Sequence, residues 1–503
     1  MVHVVHNGSA ILKTEGTTVD VVGQSLVRGL AQLAAAEDGT VTWCREELEP
    51  VFAKERVEEL LHHDTLLISY AAGHYYLPTA IGYVEGASFV RFPDDVTFPT
   101  WCMSANAGAC KGRCLRMLLD AFPNVSGFDE VLHAAGKLLQ VEGLICLSEP
   151  RLLREPLRLS SKPISYRHLF DFVARYKGRK WVVLLFASLV LFESKWAMIS
   201  FLRAVVRKRI NVKVEMNVLK VSSRRSVVSE GTIDVVIPTI GRKPYLWDVL
   251  SDLAQQDHLP KRVIIVEQNP EPNGNSLLDY LETTKWPFSI KHVFLRQAGA
   301  CNARNVALEH VASEWVFFAD DDIRLPADSL SICLDNARQY GAECLVLSCL
   351  SAGVPQLYPQ VHQTIVFGSG CSFVKRIDPM PRFKMELEFG YGEDTDYGMQ
   401  LRYSGRDVLY FPKPALLHLN APIGGFRSKF RHPWEDDAIQ PKPAPTLLYV
   451  RKQYDSVEQV RGYKLQLFLR SLKSVPLKEL PSFLRNFWKR WNAAVTWASR
   501  LAP

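Results

Sequence analysis

Residues 232–350 alternate short β-branched runs with amphipathic stretches, and this alternation predicts a parallel sheet covered by helices. The strand candidates are 233–238, 262–266, 290–295 and 315–319, and the helix candidates are 245–256, 300–311 and 327–340. A polar segment at 222–231 that ends in glycine marks the expected boundary before this region. This part of the chain is therefore expected to be an α/β domain.

One strand candidate, 315–319, ends in three consecutive carboxylates, Asp320, Asp321 and Asp322. Three adjacent acids repel one another unless a cation or hydrogen bonds compensate their charge. The carboxyl edge of an open α/β sheet is also where ligands bind. A divalent metal bridging Asp322 and a diphosphate would account for the cluster. The alternative is a solvated acidic turn before a helix at Asp328.

Other motifs surround this strand in the sequence. They are Pro-Thr-Ile-Gly-Arg at 238–242, Ala-Arg-Asn at 303–305, Gly-Glu-Asp at 392–394, and His418 before Gly-Gly-Phe-Arg at 424–427. In this order, and with the aspartate triplet, they resemble an inverting glycosyltransferase of family 2 with the GT-A fold. The resemblance covers about residues 232–430 and implies a Rossmann-like mixed sheet with helices on both faces.

The resemblance also implies a nucleotide-sugar site over the first strands and a site for Mg²⁺ or Mn²⁺. The residues implied for the nucleotide-sugar are Pro238, Thr239, Gly241, Arg242, Glu267, Asn302, Arg304, Asp320 and Asp321. Glu267 stands where the family more often has aspartate. Asp322 matches the metal ligand, and Asp320 and His418 are expected to complete the metal site.

The chemistry of such a transfer needs two kinds of group. A divalent cation neutralises the charge that develops on the departing nucleoside diphosphate, and a carboxylate takes the proton of the attacking hydroxyl. We predict Asp394 as this general base, with Glu393 as the second choice, and expect the helix start to keep both ionised. Asp396 is predicted to be the N-cap of that helix.

Basic residues are concentrated in two segments, which indicates an anionic partner. Residues 151–230 carry a net charge of +13 and residues 461–503 carry +8, in a chain whose net charge is +7. Neither segment shows a zinc-finger spacing, a basic-zipper heptad or an aromatic RNA-binding signature, so no nucleic acid is expected. We predict an anionic membrane surface as the partner of residues 151–220 and 461–503.

The second basic segment has an amphipathic pattern. Its apolar positions at helical spacing are Leu480, Phe483, Leu484, Phe487, Trp488, Trp491 and Val495. This pattern is typical of a helix lying in a membrane interface, with Phe487, Trp488 and Trp491 inserted. The alternative is a helix packed on the protein itself.

Nothing in residues 1–16 resembles a secretion signal, and the longest apolar run, 181–192, is shorter than the roughly 20 residues of a bilayer span. The ten cysteines then fit a reducing compartment. Cys102, Cys110 and Cys114 lack the second close pair of a zinc site and are expected to be ordinary thiols. We therefore expect a cytoplasmic protein, peripheral at the inner face of the cytoplasmic membrane.

Residues 127–150 share a spacing with the main domain. Leu-x-x-x-Gly followed seven residues later by Pro occurs at 139–150 and again at 401–412, and Gly-Phe-Asp-Glu at 127–130 resembles a phrase common in family 2 enzymes. We predict a degenerate, catalytically silent GT-A-like domain, with an unrelated α/β accessory domain as the alternative. The expected segments are 1–150 (accessory domain), 151–230 (basic helical linker), 231–435 (GT-A catalytic domain) and 436–503 (amphipathic tail).

The function expected from the resemblance is metal-dependent transfer of a sugar, with a UDP-linked donor, to a hydroxyl of a glycan or lipid-linked acceptor. The setting expected is bacterial cell-surface polysaccharide or glycolipid synthesis. A nucleotidyltransferase of similar fold is one alternative, but residues 238–242 are not the Gly-x-Gly-Thr-Arg-like loop it would need. A catalytically silent sugar-binding scaffold is another, and Asp320, Asp322 and Asp394 argue against it.

Overall fold

The structure is a computed structural model that describes residues 1–160, 163–422 and 430–502. The Gly-Gly-Phe-Arg motif at 424–427 lies outside the described residues. The chain forms two compact units, residues 1–224 with 452–483 and residues 225–451 with 484–503. The division into four segments stays a prediction beside this structural one.

The first unit contains a mixed sheet of seven strands in the order β2-β1-β3-β6-β4-β7-β5. Its strands are β1 (Val2–His6), β2 (Ile11–Glu15), β3 (Thr40–Arg45), β4 (Leu66–Tyr70), β5 (Phe98–Pro99), β6 (Ala107–Lys111) and β7 (Ile145–Ser148). The helices up to residue 224 are α1 (Leu26–Ala36), α2 (Val57–Leu60), α3 (Gly112–Ala121), α4 (Phe128–Leu139), α5 (Tyr166–Tyr176), α6 (Arg179–Glu193) and α7 (Met198–Val205).

The second unit contains a larger mixed sheet in the order β10-β9-β8-β11-β15-β13-β16-β12, with β14 beside β16. Its strands are β8 (Ile233–Thr239), β9 (Arg262–Gln268), β10 (Ser289–Leu295), β11 (Trp315–Ala319), β12 (Ile323–Arg324), β13 (Cys344–Ser351), β14 (His362–Gln363), β15 (Cys371–Lys375) and β16 (Leu409–His418). The helices that follow in the chain are α8 (Lys243–Ala254), α9 (Tyr280–Thr283), α10 (Ala300–Leu308), α11 (Ser329–Tyr340), α12 (Glu393–Tyr403), α13 (Pro445–Tyr454), α14 (Val457–Leu472) and α15 (Leu480–Leu501).

The four strands predicted from the alternating pattern form one parallel block, β10-β9-β8-β11. The inner strands β8, β9 and β11 are buried on both faces, as in strands covered by helices on each side, whereas the edge strand β10 is partly exposed. Beyond β11 the sheet becomes mixed, because β15 runs antiparallel to β11. The α/β prediction and the mixed GT-A-like sheet are confirmed.

Five strands of the first sheet repeat the arrangement of the second. The series β1-β3-β6-β4-β7 and β8-β11-β15-β13-β16 have the same chain order, the same neighbours and the same parallel and antiparallel pairings. Gly143 and Gly405, the glycines of the shared spacing, both have positive φ and stand shortly before β7 and β16. This correspondence supports the prediction of a degenerate GT-A-like domain.

The first sheet differs where the donor would bind in a catalytic domain. The neighbour of β1 is the antiparallel strand β2, whereas β8 has the parallel strand β9 in that place. Where β11 is followed by the aspartate triplet, the corresponding strand β3 has Arg45 followed by Glu46 and Glu47. The prediction that this domain is catalytically silent stays a prediction.

The C-terminal helix α15 packs on the protein for much of its length. Phe487 and Trp491 are each only 5% exposed. The indole Nε1 of Trp497 donates a hydrogen bond to Asp437 Oδ2 at 2.6 Å. The prediction that Phe487 and Trp491 insert into a membrane is therefore wrong, because packing already buries the apolar face that carries them.

Within the described part of the chain, no helix is both long enough and apolar enough to cross a bilayer.

Candidate active site

A cleft of about 530 Å³ opens at the carboxyl ends of β8 and β11 in the second unit. The predicted residues that line it are Pro238, Thr239, Arg242, Arg304, Asp320, Asp321, Asp322, Glu393, Asp394 and His418. Gly241, Glu267 and Asn302 are not among its lining residues. Most of the residues singled out from the sequence therefore face one cavity.

The pairing of β8 with β11 explains why two distant motifs meet. The strands are parallel neighbours, with Val236 opposite Phe318. The turn at 238–242 and the acids at 320–322 therefore leave the sheet at the same edge. This is the edge at which open α/β sheets bind ligands.

Asp321 links the turn at 238–242 to the acids at 320–322 by hydrogen bonds. Its Oδ2 accepts a hydrogen bond from the Thr239 hydroxyl, and its Oδ1 accepts one from Arg242 Nη1, both at 2.6 Å. Burial raises the pKa of Asp321 to about 6, against the opposing effect of the Arg242 guanidinium. Since both carboxylate oxygens already have donors, Asp321 is suited to hold the turn in place.

Asp320, Asp322 and His418 form the candidate metal centre. One ligand atom from each lies within 4.8 Å of the others. Asp322 is only 3% exposed, so the alternative of a solvated acidic turn is wrong. Its Oδ2 accepts a hydrogen bond from the Ala421 N–H at 2.9 Å, and its Oδ1 lies 3.5 Å from His418 Nε2. The two carboxylates suit Mg²⁺ or Mn²⁺, and the imidazole is a ligand more typical of a transition metal such as Mn²⁺.

Asp320 is held from two sides. Arg304 Nη2 donates to its Oδ1 at 3.0 Å, and the Asp320 N–H donates to the Gly370 carbonyl at 3.1 Å. Gly370 lies so close that a Cβ added there would be 2.1 Å from Asp320 Oδ2. The site therefore needs glycine at 370 to accommodate this carboxylate.

Gly370→Ala should displace Asp320 and weaken nucleotide binding by about tenfold, or ~1.4 kcal/mol. The reason is the close contact with the carboxylate, because Gly370 does not have a positive φ. Titration calorimetry with UDP and Mn²⁺ measures the effect. Gly39→Ala, where an added Cβ would meet nothing within 4 Å, is the matched control. Equal affinity of the two variants would contradict the prediction.

Glu393 and Asp394 stand at the first turn of α12, whose N-cap is Gly392. Asp394 Oδ1 accepts a hydrogen bond from the Ser369 N–H at 3.2 Å. Burial, reinforced by the charge of Asp394, raises the pKa of Glu393 to about 7, and burial also raises the pKa of Asp394 despite nearby Arg304. Burial therefore acts against the expected effect of the helix start, because desolvation favours the neutral form of each carboxyl. The ionisation of both residues stays a prediction.

Asp396 is not the N-cap of α12 but a buried member of an ion pair. It is fully buried, and its Oδ1 lies 2.7 Å from Lys384 Nζ. Gln400 Nε2 donates to its Oδ2 at 2.7 Å. The N-cap prediction is wrong because the helix begins earlier, at Glu393, which places Asp396 inside the first turn.

Glu393→Gln should raise the melting temperature by a few degrees at pH 8 and by much less at pH 5. A carboxyl whose folded-state pKa is raised stabilises the fold below its unfolded pKa, and this contribution is lost as pH rises from about 4.5 through 7. The glutamine amide does not titrate, so the variant does not undergo this loss of folding stability at high pH. Thermal unfolding at both pH values is the measurement, and an equal shift at pH 5 and pH 8 would contradict the assignment.

Two predicted binding residues have other contacts. The Glu267 carboxylate accepts hydrogen bonds from the Ser276 hydroxyl at 2.6 Å and the Leu277 N–H at 2.8 Å, and it lies 2.9 Å from His292 Nε2. Asn302 is placed by its backbone, whose N–H donates to Glu388 Oε2 at 2.8 Å. Their roles toward a nucleotide-sugar stay predictions.

Glu388 is a residue of the cleft that sequence reasoning missed. Besides Asn302, its carboxylate accepts the N–H of Cys301 at 3.1 Å, so it occupies the N-terminus of α10. A Cβ on Gly299 would lie 2.3 Å from this carboxylate. No motif in the sequence indicated it, because its contacts with Cys301 and Asn302 are tertiary.

Comparison with known proteins agrees with this site. Residues 234–397 match the sequence model described as glycosyl transferase family 2. Within that stretch the chain therefore contains a domain of the glycosyl transferase family 2 type.

Individual relatives have the following extents of similarity. The succinoglycan biosynthesis protein ExoM of Rhizobium meliloti (strain 1021) is 29% identical over 212 residues, which span 38% of this chain and 67% of ExoM. S. aureus TarS 1-349 in complex with UDP-GlcNAc is 18% identical over 54% of this chain and 82% of its own, with a TM-score of 0.38. Mannosyltransferase PcManGT from Pyrobaculum calidifontis, in complex with GDP-Man and Mn²⁺, is 16% identical over 54% of this chain and 75% of its own, with a TM-score of 0.30.

Proposed function

We propose that the chain is a metal-dependent, inverting glycosyltransferase that moves a sugar from a nucleotide-sugar to a hydroxyl of a glycan or lipid-linked acceptor. The observation that carries the proposal is the arrangement of carboxylates around one cleft. Asp320 and Asp322 lie at the strand end, and Asp394 lies at the start of α12. The turn Ser369-Gly370 joins the two groups, since Ser369 donates to Asp394 and Gly370 accepts from Asp320.

The nucleotide is proposed to lie over the turn at 238–242. Arg242 is fixed by Asp321 and also lies 3.3 Å from Asp322 Oδ2, so its position is set before the donor binds. A preorganised guanidinium is suited to phosphate oxygens. Arg304 orients Asp320, which is placed to contact the donor's sugar or ribose.

Asp320, Asp322 and His418 would hold Mg²⁺ or Mn²⁺. When bound, such an ion neutralises the charge that develops on a departing diphosphate. The chain itself supplies the enclosure and the fixed orientation of these three side chains. Asp322 is held by the Ala421 N–H and Asp320 by Arg304, so neither carboxylate has to reorganise for binding.

Asp394 is proposed to accept the proton of the acceptor hydroxyl as that oxygen attacks the anomeric carbon. Its raised pKa makes it a stronger base than an exposed carboxylate would be. Attack from the face opposite the leaving group inverts the configuration at that carbon. Glu393, with its pKa of about 7, is the alternative base.

The proposed biological setting is assembly of bacterial cell-surface polysaccharide or glycolipid at the inner face of the cytoplasmic membrane. Similarity to ExoM, named for succinoglycan biosynthesis, supports a role in polysaccharide synthesis. The basic segments 151–220 and 461–503 support an anionic surface as partner.

A thermal-shift screen of nucleotides and nucleotide-sugars, each with Mn²⁺, tests the proposal, since a donor stabilises the fold by mass action. We expect UDP and a UDP-linked sugar to raise the melting temperature. Incubation of the stabilising donor with candidate acceptors, read by mass spectrometry, then tests transfer. Absence of stabilisation by every nucleotide-sugar in the presence of metal would refute the donor assignment.

A further inference from the structure

An exposed apolar surface of the first unit lies on and beside α7. Its side chains are Trp196 (71% exposed), Met198 (41%), Ile199 (76%), Leu202 (59%) and Val206 (73%). We call these five residues the α7 face. Scattered exposed apolar residues are ordinary, but five within eleven positions form a patch that needs a covering.

The helix geometry places these side chains together. At 100° per residue, Met198, Ile199, Leu202 and Val206 fall within one narrow sector of the helix. The opposite side already packs on the protein, because Ala204 is buried and Phe201 stacks on Phe186 with ring centroids 4.5 Å apart. The α7 face is therefore a second apolar surface, not the one that holds the helix in the fold.

The charged residues of the segment that carries this face are basic. Residues 194–214 contain six lysines and arginines and no acid. Lys195 and Arg207 have acidic partners, Glu193 and Asp171. Arg203, Lys208 and Arg209 are exposed beside the apolar stripe.

We propose that the α7 face docks on an anionic lipid bilayer, with Trp196, Ile199 and Leu202 in the headgroup boundary and the neighbouring cations on lipid phosphates. An exposed apolar stripe bordered by Lys and Arg is the pattern of an interfacial helix. A second copy of the chain fits poorly, because a two-fold interface would bring this basic surface against itself.

This inference deepens the proposed function, transfer of a sugar to a lipid-linked acceptor. Only the explanation of why membrane attachment is useful to the protein rests on that proposed function. Vesicle binding is measured without donor or acceptor, so failure of binding and failure of transfer are distinguishable. It also assigns the membrane contact to the α7 face instead of Phe487 and Trp491, which are buried.

The test is sedimentation of the full chain with vesicles of phosphatidylcholine containing one third phosphatidylglycerol, compared with phosphatidylcholine alone. Ile199→Asp combined with Leu202→Asp should weaken binding to the anionic vesicles by about tenfold or more. The matched control is Leu357→Asp, which places the same charge at a residue that is 75% exposed in the second unit, and it should bind as the parent does. An unchanged melting temperature of each variant shows that the fold is intact.

Two further variants separate charge from insertion. Arg203→Gln with Lys208→Gln and Arg209→Gln should reduce binding to anionic vesicles and bring it close to binding on neutral ones. Trp196→Phe should remove a blue-shifted component that anionic vesicles induce in the parent's fluorescence. Parental binding by the Ile199/Leu202 variant would overturn the proposal. So would loss of binding in Trp488→Asp alone, or dissociation of a parental dimer by the α7 substitutions without vesicles.

Discussion

Asp394→Asn should retain nucleotide-sugar binding and lose sugar transfer by a factor of about 10²–10⁴, the usual effect of removing a general base. The amide keeps the size of the side chain, and its Oδ1 can still accept the hydrogen bond from the Ser369 N–H. It cannot accept a proton from the acceptor hydroxyl. The measurements are the initial rate of sugar transfer and the affinity for the donor. The rate should fall while the affinity stays at the parental value.

Glu393→Gln is the matched control for this experiment, because it neutralises the adjacent carboxyl on the same turn of α12. We expect it to lower the rate far less than Asp394→Asn does. Parental transfer by Asp394→Asn together with an inactive Glu393→Gln would reverse the two roles. Loss of donor binding in Asp394→Asn would instead indicate that Asp394 acts on the donor.

The parallel half of the catalytic sheet could be predicted from the sequence because its inner strands β8, β9 and β11 are buried on both faces. Such strands are continuous β-branched runs, and the helices between them have their own periodicity. The aspartate triplet at 320–322 could be recognised as a candidate site because three carboxylates after a buried strand repel one another unless a cation or hydrogen bonds compensate their charge. Parallel pairing of β8 with β11 then brings the triplet to the turn at 238–242.

Features that depend on packing were harder to predict. The pattern at 392–396 contains three acids, and any of them could begin a helix; only the fold shows that Asp396 is buried against Lys384. The raised pKa of Glu393 is caused by desolvation in the cleft, which a helix-dipole argument does not include. Glu388 was missed because a carboxylate at the start of another helix, α10, is a tertiary contact.

The amphipathic segments also show that tertiary packing could not be predicted from the sequence. Residues 480–497 and α7 both combine apolar and basic side chains, and the two patterns are alike in sequence. In α15 the apolar residues Phe487 and Trp491 are buried, whereas in α7 Ile199 is 76% exposed. The periodicity of a helix indicates that it has an apolar face, but only the fold shows which face is already covered.

Asp322→Ala should abolish the part of nucleotide binding that depends on divalent metal. Asp322 is close to both other residues of the candidate centre: its Oδ1 is 3.5 Å from His418 Nε2, and one of its ligand atoms lies within 4.8 Å of one from Asp320. Even residues that only support a metal's ligands cost about 10–100-fold in affinity when removed, so loss of a ligand should exceed about 100-fold. Calorimetric titration of UDP in Mn²⁺ and in chelator measures the metal-dependent part.

Asp328→Ala is the matched control, because it removes an exposed acid six residues along the same segment whose side chain makes no capping hydrogen bond. It should bind UDP with metal as the parent does. Asp322→Asn adds a second comparison, since its amide oxygen can keep the bond to the Ala421 N–H while losing the charge. If Asp322→Asn binds as weakly as Asp322→Ala, the charge on the metal ligand rather than the local structure explains the loss. Full metal-dependent binding by both variants, or parental turnover in excess chelator, would exclude Asp322 as the ligand.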